Sequence, residues 1–389
     1  MSFSAMKMPV GRTQYTEIKV RFVNIMINSG RTAAFLSTRE RLVCSLVEEG
    51  HNVVLTGYQA GYEMELNSLG VKFVRVPMDR SGLNPFADLR LLKEYYHLIK
   101  ENDIDIVHSY TIKPNIYGSI AAWLAGVEEV YPTLNGLGYA FTGDGVRGRV
   151  VRAVASIFYL IAFRCSKKVF FHNKDDIDFI VAHRLIDREK CVQIDGSGID
   201  LESFSAEDMP IEISFVLISR LLKSKGILEY AEAARIVKRT HKNVVFNLVG
   251  PTDPNPSGIQ LSDIQPYIED GTLLYHGPQE DIRSFLKDSS VVVLPSYREG
   301  LPHSLLEGMA TGRAILTTDV PGCKETTIEG ENGFLVPARD VEALANRMCW
   351  MVENPEKTRE MGKVSLKIVK ERFDVDKVNS TILSAMDLR

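Results

Sequence analysis

Residues 291–325 have the sequence VVVLPSYREGLPHSLLEGMATGRAILTTDVPGCKE, and this stretch decides the fold. The apolar run 291–294 is typical of a strand that is buried on both faces of a parallel sheet, and Pro295 ends it. A loop follows, and then a helix that carries its apolar residues on one arc and stops at Gly312. Residues 314–317 form the next buried strand. A strand, helix and strand in this order predict a parallel α/β sheet.

Two carboxylates in this stretch do not fit a packing role. Glu299 lies in the loop ahead of the helix, and Glu307 projects about 130° from the centre of the apolar arc. The free N–H groups of Gly300, Leu301 and the first helical turn favour phosphate oxygens. Ionised carboxylates accept hydrogen bonds from pairs of hydroxyl groups. The pattern therefore indicates a nucleotide-sugar site, and a surface helix with two solvated glutamates is the alternative.

Length, charge and cysteine content limit the classes of protein. A chain of 389 residues is long enough for two domains with full cores, and its composition is that of a globular protein. The net charge of −4 argues against a nucleic-acid partner. Five scattered cysteines without C-x-x-C spacing indicate reduced thiols in the cytosol. No apolar run reaches the length of a membrane span, and we expect residues 1–18 to be a flexible leader.

The first half of the chain alternates strands and helices, which predicts a Rossmann-like domain over residues 19–198. Parallel sheets bind ligands at the carboxyl ends of their strands, so the loops there are candidate sites. Gly30, in the turn after the first strand, would let backbone amides approach a diphosphate, although an ordinary turn explains it as well. The dinucleotide fingerprint G-x-G-x-x-G is missing at this point.

Residues 199–212 break the alternation and are predicted to be the interdomain hinge, and residues 213–372 form the second Rossmann-like domain. Arg220 ends its first strand and Lys225 opens the following helix, so the two cations can converge at the carboxyl edge of the sheet. A guanidinium fork and an ammonium group neutralise a diphosphate, whereas isolated cations in such a turn are more often solvated. Gly250 and Gly277, at other strand ends, could contact the nucleobase through the backbone, or serve only as turns.

These motifs resemble a known enzyme family. Glu299 and Glu307, inside E-G-L-P-x-S-L-L-E-x-M-A-x-G, resemble the donor-site motif of glycosyltransferase family 4, and R-L-x-x-x-K-G at 220–226 resembles its diphosphate motif. The resemblance implies the GT-B fold, which is two doubly wound α/β domains facing each other across a cleft. It also implies transfer with retention of configuration, no metal and no cofactor, because side-chain cations neutralise the leaving group. Residues 373–389 are then a candidate for crossing back to the first domain.

Three further sequences resemble one branch of that family, the N-acetylgalactosaminyltransferases that extend sugars on undecaprenyl diphosphate. They are RSGLNP at 80–85, KPNIYG at 113–118 and NGLGY at 135–139. The resemblance makes Arg80, Lys113 and Asn115 candidates for contact with the acceptor or the membrane. Asn135 stands where many members carry histidine and this branch often carries glutamate. Its amide could orient a hydroxyl group of donor or acceptor, or Asn-Gly could be an ordinary turn.

The helix predicted over residues 146–168 has two unlike faces. We expect its apolar arc to face the core, and this arc consists of Val150, Val151, Val154, Ile157, Phe158, Ile161 and Cys165. The opposite arc combines cations with aromatic residues and is predicted to rest on an anionic membrane; it consists of Arg149, Arg152, Tyr159, Leu160 and Phe163. The alternative is a helix that is buried on both sides.

The sequence thus predicts a retaining glycosyltransferase that moves a hexosyl group, expected to be N-acetylhexosaminyl, from a UDP-sugar to a polyprenyl-diphosphate-linked sugar. Its product would serve lipopolysaccharide or polysaccharide assembly at the cytoplasmic face of the inner membrane. Glu299, Arg220, Lys225 and Asn135 are the expected catalytic residues. A nucleotide-sugar epimerase and a catalytically silent sugar-nucleotide-binding subunit are the alternatives.

Overall fold

The structure is a computed structural model that describes residues 22–79, 84–137, 145–255 and 257–389. The predicted leader, residues 1–18, lies outside these ranges, and so does Arg80. Among the helices of the described residues, none combines the length and the apolar character needed to cross a bilayer.

The first domain is built on a seven-stranded parallel sheet with the strand order β3-β2-β1-β4-β5-β6-β7. Its strands are β1 Asn24–Asn28, β2 Asn52–Gly57, β3 Lys72–Arg75, β4 Ile106–Tyr110, β5 Glu129–Leu134, β6 Val169–Phe171 and β7 Cys191–Gln193. Its helices are α1 Thr32–Glu48, α2 Glu63–Ser68, α3 Pro85–Glu101, α4 Ser119–Leu124, α5 Gly145–Arg164 and α6 Lys174–Ala182. A π-helix, Pro114–Gly118, precedes α4.

Local sequence explains how these elements form. All five residues of β4 are buried, as expected for a central strand that is covered by helices on both faces. Helix α3 begins where Asn84 accepts a hydrogen bond of 3.0 Å from the N–H of Phe86, with Pro85 in the first helical turn. The helix caps and the buried apolar strands therefore account for the alternation of strands and helices that the sequence predicts.

The second domain is built on a six-stranded parallel sheet with the order β10-β9-β8-β11-β12-β13. Its strands are β8 Ser214–Ile218, β9 Val245–Val249, β10 Leu274–Tyr275, β11 Val291–Leu294, β12 Ala314–Thr318 and β13 Gly333–Val336. Its helices are α7 Ile227–Lys238, α8 Leu261–Glu269, α9 Arg283–Lys287, α10 His303–Ala310, α11 Val341–Glu353 and α12 Pro355–Arg372. The deciding stretch forms β11, α10 and β12 as predicted, and β11 is a central strand.

The strand order reverses between β1 and β4 in one sheet and between β8 and β11 in the other. Crevices at such reversals are where open α/β sheets bind ligands. The two reversal points face each other, because Gly30 and Thr111, which follow β1 and β4, line one cavity together with Leu301, which follows β11. The predicted fold, two doubly wound domains across a cleft, is confirmed.

The chain passes between the domains at two adjacent places. At the start of the predicted hinge, Ile199 donates a 2.8 Å hydrogen bond to the carbonyl of Phe373 and accepts one of 3.1 Å from the N–H of Val375. The last helix, α13 Val375–Ala385, buries Val378 and Ile382 in the core of the first domain. By its packing, the C-terminal helix belongs to the first domain.

Candidate functional site

Two cations lie at the carboxyl edge of the second sheet. Arg220 follows β8, and its Nη1 donates a 2.5 Å hydrogen bond to Oδ2 of Asp253. Lys225 ends a short 3₁₀ turn, and Gly226 follows with φ of +71°. A β-carbon at residue 226 would lie 2.2 Å from the carbonyl oxygen of Pro295, so only glycine fits there. This tight turn sets Lys225 against the loop that follows β11.

The first predicted carboxylate pairs with Lys225. Glu299 Oε1 accepts hydrogen bonds of 2.5 Å from Lys225 Nζ and 2.7 Å from Ser296 Oγ. Both partners of the Lys225–Glu299 pair are largely buried. The structure therefore brings together Lys225 and Glu299, which are 74 residues apart in the chain, as a charged pair at the cleft.

The second predicted carboxylate lies one helix further on. Glu307, in α10, accepts a 2.8 Å hydrogen bond from Nδ1 of His303, one turn earlier. His303 and Leu301 both line the interdomain cleft. Glu299 and Glu307 thus lie on the same side of the cleft, and their separate hydrogen-bond partners allow separate roles.

The loop that carries Glu299 is pressed against the first domain. A β-carbon on Gly300 would lie 1.6 Å from the carbonyl oxygen of Asn135, so the backbones touch only because residue 300 has no side chain. Asn173 Nδ2 donates a 2.9 Å hydrogen bond to the carbonyl of Gly300. Arg298 forms an ion pair with the buried Asp176, whose pKa is raised by burial in spite of the Arg298 cation.

A cavity of about 230 Å³ opens between the domains beside this contact. Its walls include Gly30, Asn135 and Leu301, three of the predicted site residues. Gly30 packs tightly, since a β-carbon there would lie 2.5 Å from Thr111 Oγ1. Gly30 and Asn135 of the first domain therefore meet Leu301 of the second domain in one place.

A backbone hydrogen bond joins Gly250 and Gly277. The N–H of Gly250 donates a 2.8 Å hydrogen bond to the carbonyl of Gly277. A β-carbon on Gly250 would lie 1.8 Å from the carbonyl oxygen of Ser219, next to Arg220. The pair thus supports the strand ends beside Arg220, and a nucleobase contact stays a prediction.

Two acceptor candidates have structural partners. Lys113 forms a 2.5 Å ion pair with Asp88, which also accepts a hydrogen bond from Tyr117. Asn115 is buried in the π-helix, and its Nδ2 donates a 2.8 Å hydrogen bond to the carbonyl of Thr133. These contacts fix α3 and β5 around the π-helix, and contact of Lys113 and Asn115 with the acceptor stays a prediction. Arg80, the third candidate, lies outside the described residues.

The prediction of which face of α5 is buried was wrong. Tyr159 and Phe163 are 3% and 1% exposed, because they pack with Phe171 against the edge of the first sheet. The exposed face is the apolar one, and it consists of Val150, Ala153, Val154, Ile157, Phe158 and Ile161. Both arcs carry large apolar side chains, so helical periodicity alone does not reveal which arc a sheet covers. Arg149 is exposed, and Arg152 is half-buried.

Sequence reasoning did not identify Arg39 or His172 as site residues. Both line the cavity, and both are buried. Arg39 lies on the apolar face of α1, between Phe35 and Leu42. A cation on the buried arc of an amphipathic helix was the signal that could have drawn attention to it.

Comparisons with known proteins agree with this geometry. The sequence model described as "Glycosyl transferase 4-like" matches residues 33–173, and the one described as "Glycosyl transferases group 1" matches residues 206–367. A relative from Campylobacter jejuni is N,N'-diacetylbacillosaminyl-diphospho-undecaprenol alpha-1,3-N-acetylgalactosaminyltransferase. It is 28% identical over 347 residues, which cover 84% of this chain and 88% of the relative.

Two further proteins are similar along most of their length. UDP-Gal:alpha-D-GlcNAc-diphosphoundecaprenol alpha-1,3-galactosyltransferase from Escherichia coli is 27% identical over 87% of this chain and 88% of its own. The crystal structure of HepE from Anabaena in complex with UDP-glucose superposes with a TM-score of 0.76 at 17% identity, over 94% of this chain and 99% of that one. The chain therefore belongs to the glycosyltransferases, with a glycosyl transferase 4-like first domain and a group 1 second domain in the GT-B arrangement.

Proposed function

We propose that this chain transfers a hexosyl group, with N-acetylhexosaminyl expected, from a UDP-sugar to a polyprenyl-diphosphate-linked sugar, with retention of configuration. The observation that carries the proposal is that Lys225 pairs with Glu299 in the loop whose next residue, Gly300, lies against the backbone of Asn135 in the first domain. The two relatives that are similar over most of the chain are named for transfer to sugars on diphospho-undecaprenol. Lipopolysaccharide or polysaccharide assembly is the expected setting.

In the proposed reaction, Arg220 and Lys225 stabilise the charge that builds up on the UDP leaving group as the glycosidic bond breaks. Asp253 and Glu299 position these cations, since Asp253 accepts a hydrogen bond from Arg220 and Glu299 accepts one from Lys225. The diphosphate would compete with Asp253 for the guanidinium of Arg220, whose side chain is 41% exposed and so reachable. Because side chains supply this positive charge, we propose that turnover needs neither a metal nor another cofactor.

The carboxylates would bind the two sugar rings of the donor. Glu299 lies beside Lys225 and therefore next to the reacting sugar, whereas Glu307 lies one helical turn beyond His303 and is assigned to the ribose. Asn135 borders the cavity from the first domain, where its amide would orient a hydroxyl group of donor or acceptor. Carboxylate and amide oxygens accept hydrogen bonds from the hydroxyl groups of sugars.

We further propose that the enzyme binds peripherally to an anionic membrane, through the exposed apolar face of α5. Trp123 and Leu124 extend this face, since they are exposed on α4, which packs beside α5. Tryptophan is favoured at membrane interfaces, and apolar side chains of an amphipathic helix bury themselves among lipids. Residues 145–172 contain six Arg or Lys and no Asp or Glu, which suits anionic headgroups on the cytoplasmic leaflet.

A second copy of the chain is a poorer occupant for this face. A two-fold dimer would place the same patch on both sides of the interface, so the basic residues around it would face each other. Like charges in close contact are unfavourable, whereas a cytoplasmic leaflet carries the opposite charge. The membrane is therefore the proposed partner, and it would bring the lipid-linked acceptor to the domain that carries Asn135.

The test is incubation of the protein with labelled UDP-sugars and a membrane lipid extract, with and without excess EDTA. We expect label to move to the lipid fraction to the same extent in both. An altered free sugar without transfer would indicate an epimerase, and binding without either reaction would indicate a silent subunit. Loss of transfer in EDTA alone would contradict the metal-free mechanism. The anomeric configuration of the product, read by NMR, tests retention.

A further inference from the structure

Arg39 places a buried cation at the floor of the cleft. Its side chain is 3% exposed, and its Nη2 donates a 2.9 Å hydrogen bond to the carbonyl of Gly196. The guanidinium lies 5.2 Å from the centre of the Tyr110 ring. Within the described ranges, no carboxylate forms an ion pair with Arg39, and its Nη1 has no hydrogen-bond partner. The positive charge is therefore only partly balanced by the protein.

The neighbouring side chains do not supply a negative charge. Nε2 of His172 lies 3.4 Å from Arg39 Nη2, and burial together with the Arg39 cation lowers the pKa of His172 to about 3. The pKa of His108 is lowered for the same two reasons. Both rings are neutral at pH 7, while a guanidinium keeps its charge in proteins. An uncompensated buried charge is unfavourable, so a partner that arrives with the ligand would stabilise it.

A second feature of the same cavity also favours an anion. Helix α1 begins at Thr32, its cap residue Arg31 makes no capping hydrogen bond, and its first turn has no acidic residue. The partial positive charge at this helix end is thus not neutralised locally. Arg31 and Arg39 both line the cavity, together with Gly30. In a helix long side chains lean toward the N-terminus, so Arg39 adds its charge toward the same end.

We propose that Arg39 is a binding residue whose guanidinium holds a phosphate-bearing group in the interdomain cavity. The diphosphate of the nucleotide sugar and the diphosphate of the lipid-linked acceptor share this chemistry. The choice between these two sources rests on the proposed function. A purely structural Arg39, which would only tie α1 to the hinge through Gly196, is the competing explanation.

The experiment compares Arg39→Gln and Arg39→Lys with a matched control, Arg41→Gln. Arg41 lies on the same helix, but it is a surface residue that pairs with Glu202 and Asp376 outside the cavity. Three quantities are measured for each folded variant: the Kd for UDP, the Kd for inorganic pyrophosphate and the KM for the lipid-linked acceptor. The thermal midpoint of each variant is recorded to separate folding from binding.

We expect Arg39→Gln to weaken pyrophosphate binding about 10-fold to 100-fold, the loss typical of one charge-assisted contact, and Arg39→Lys to lie between it and the wild type. Arg41→Gln should stay within about two-fold of the wild type. If Arg39→Gln also weakens UDP binding, the guanidinium binds the donor diphosphate. If Arg39→Gln raises the acceptor KM and leaves the Kd for UDP unchanged, the guanidinium binds the acceptor diphosphate.

The proposal is overturned if Arg39→Gln lowers the thermal midpoint but leaves both Kd values and the acceptor KM near those of the wild type. If Arg39→Gln does not fold, the same comparison is made with Arg39→Lys, and unchanged binding overturns the proposal. The pyrophosphate and UDP measurements need no sugar transfer. A failure of the proposed reaction is therefore distinguishable from a failure of the Arg39 assignment.

Discussion

The ammonium group of Lys225 lies 2.5 Å from the carboxylate of Glu299, although the two residues come from different strand-to-helix connections. The pair forms because β8 and β11 are adjacent in the sheet, so the loops at their carboxyl ends meet. Each residue limits the freedom of the other, because the charge-assisted hydrogen bond fixes the carboxylate and the ammonium group against each other. The pair is thus prepared for a ligand that carries both hydroxyl and phosphate groups.

Arg220→Ala and Lys225→Ala should each lower kcat strongly while the fold survives. Each change removes a charge-assisted contact worth about 1.5–3 kcal/mol to a group that gains charge as the bond breaks. Steady-state kinetics and circular dichroism measure the two effects. Lys223→Ala is the matched control, since Lys223 lies in the same turn but is exposed. A near-normal kcat for either variant would rule out the diphosphate role.

Glu299→Gln and Glu307→Gln should give different kinetic profiles. Glu299 bonds to Lys225 beside the expected reacting sugar, so its replacement should chiefly lower kcat. Glu307 bonds to His303, away from that pair, and its replacement should chiefly raise the donor KM, by about 10-fold or more. Identical profiles for the two variants would argue against separate sugar rings.

Gly300→Ala should abolish transfer without unfolding either domain. The added carbon would lie 1.6 Å from the carbonyl oxygen of Asn135, so the domains must separate and the two sides of the site move apart. We expect a loss of kcat/KM of at least about 100-fold, because small misplacements of reacting groups are costly. Gly271→Ala is the control for the steric contact, since its new carbon meets no atom within 4 Å and only the backbone, at φ of +73°, is strained. Equal activities of the two variants would contradict this interpretation.

The free energy of unfolding should fall as the pH is lowered, in part because of His172. Burial lowers the pKa of His172 to about 3, below the usual value of 6.5, so between these values the unfolded chain binds a proton that the folded chain does not. Stability from this group is complete above pH 6.5 and is lost as the pH falls toward 3, by about 2 kcal/mol at pH 5. His172→Asn should therefore lose less stability between pH 7.5 and pH 5 in denaturant titrations. The same change at the exposed His97 is the control.

Replacing Val154 and Ile157 together by Asp should weaken sedimentation with anionic liposomes. Ile157 is 58% exposed, so the change removes apolar contact with lipid at little cost to the core. Transfer to a long-chain lipid acceptor should slow, while a short water-soluble acceptor should be used nearly as before. Ile211→Asp, at an exposed isoleucine of the hinge, is the control. Unchanged liposome binding, or a change in oligomeric state instead, would contradict the membrane assignment.

The sequence by itself determined the α/β alternation and the central place of residues 291–325 in the second sheet, and it predicted the donor-side residues. These features are local: apolar runs of strand length, a helix with one apolar arc, and carboxylates and cations at the ends of strands. Parallel topology then requires the strand ends to lie at one edge of the sheet. For this reason Arg220, Lys225, Glu299 and Glu307 could be predicted as one site without any knowledge of distances.

Only the tertiary structure decided which face of α5 is buried and what Arg39, Lys113 and Asn115 contact. Both arcs of α5 are apolar enough to pack, and the choice depends on the shape of the sheet edge, where the rings of Tyr159 and Phe163 fit beside Phe171. Arg39 meets Gly196, 157 residues away, only after the strands are ordered. Contacts between distant segments are set by the packing of whole layers, and no local pattern in the sequence encodes them.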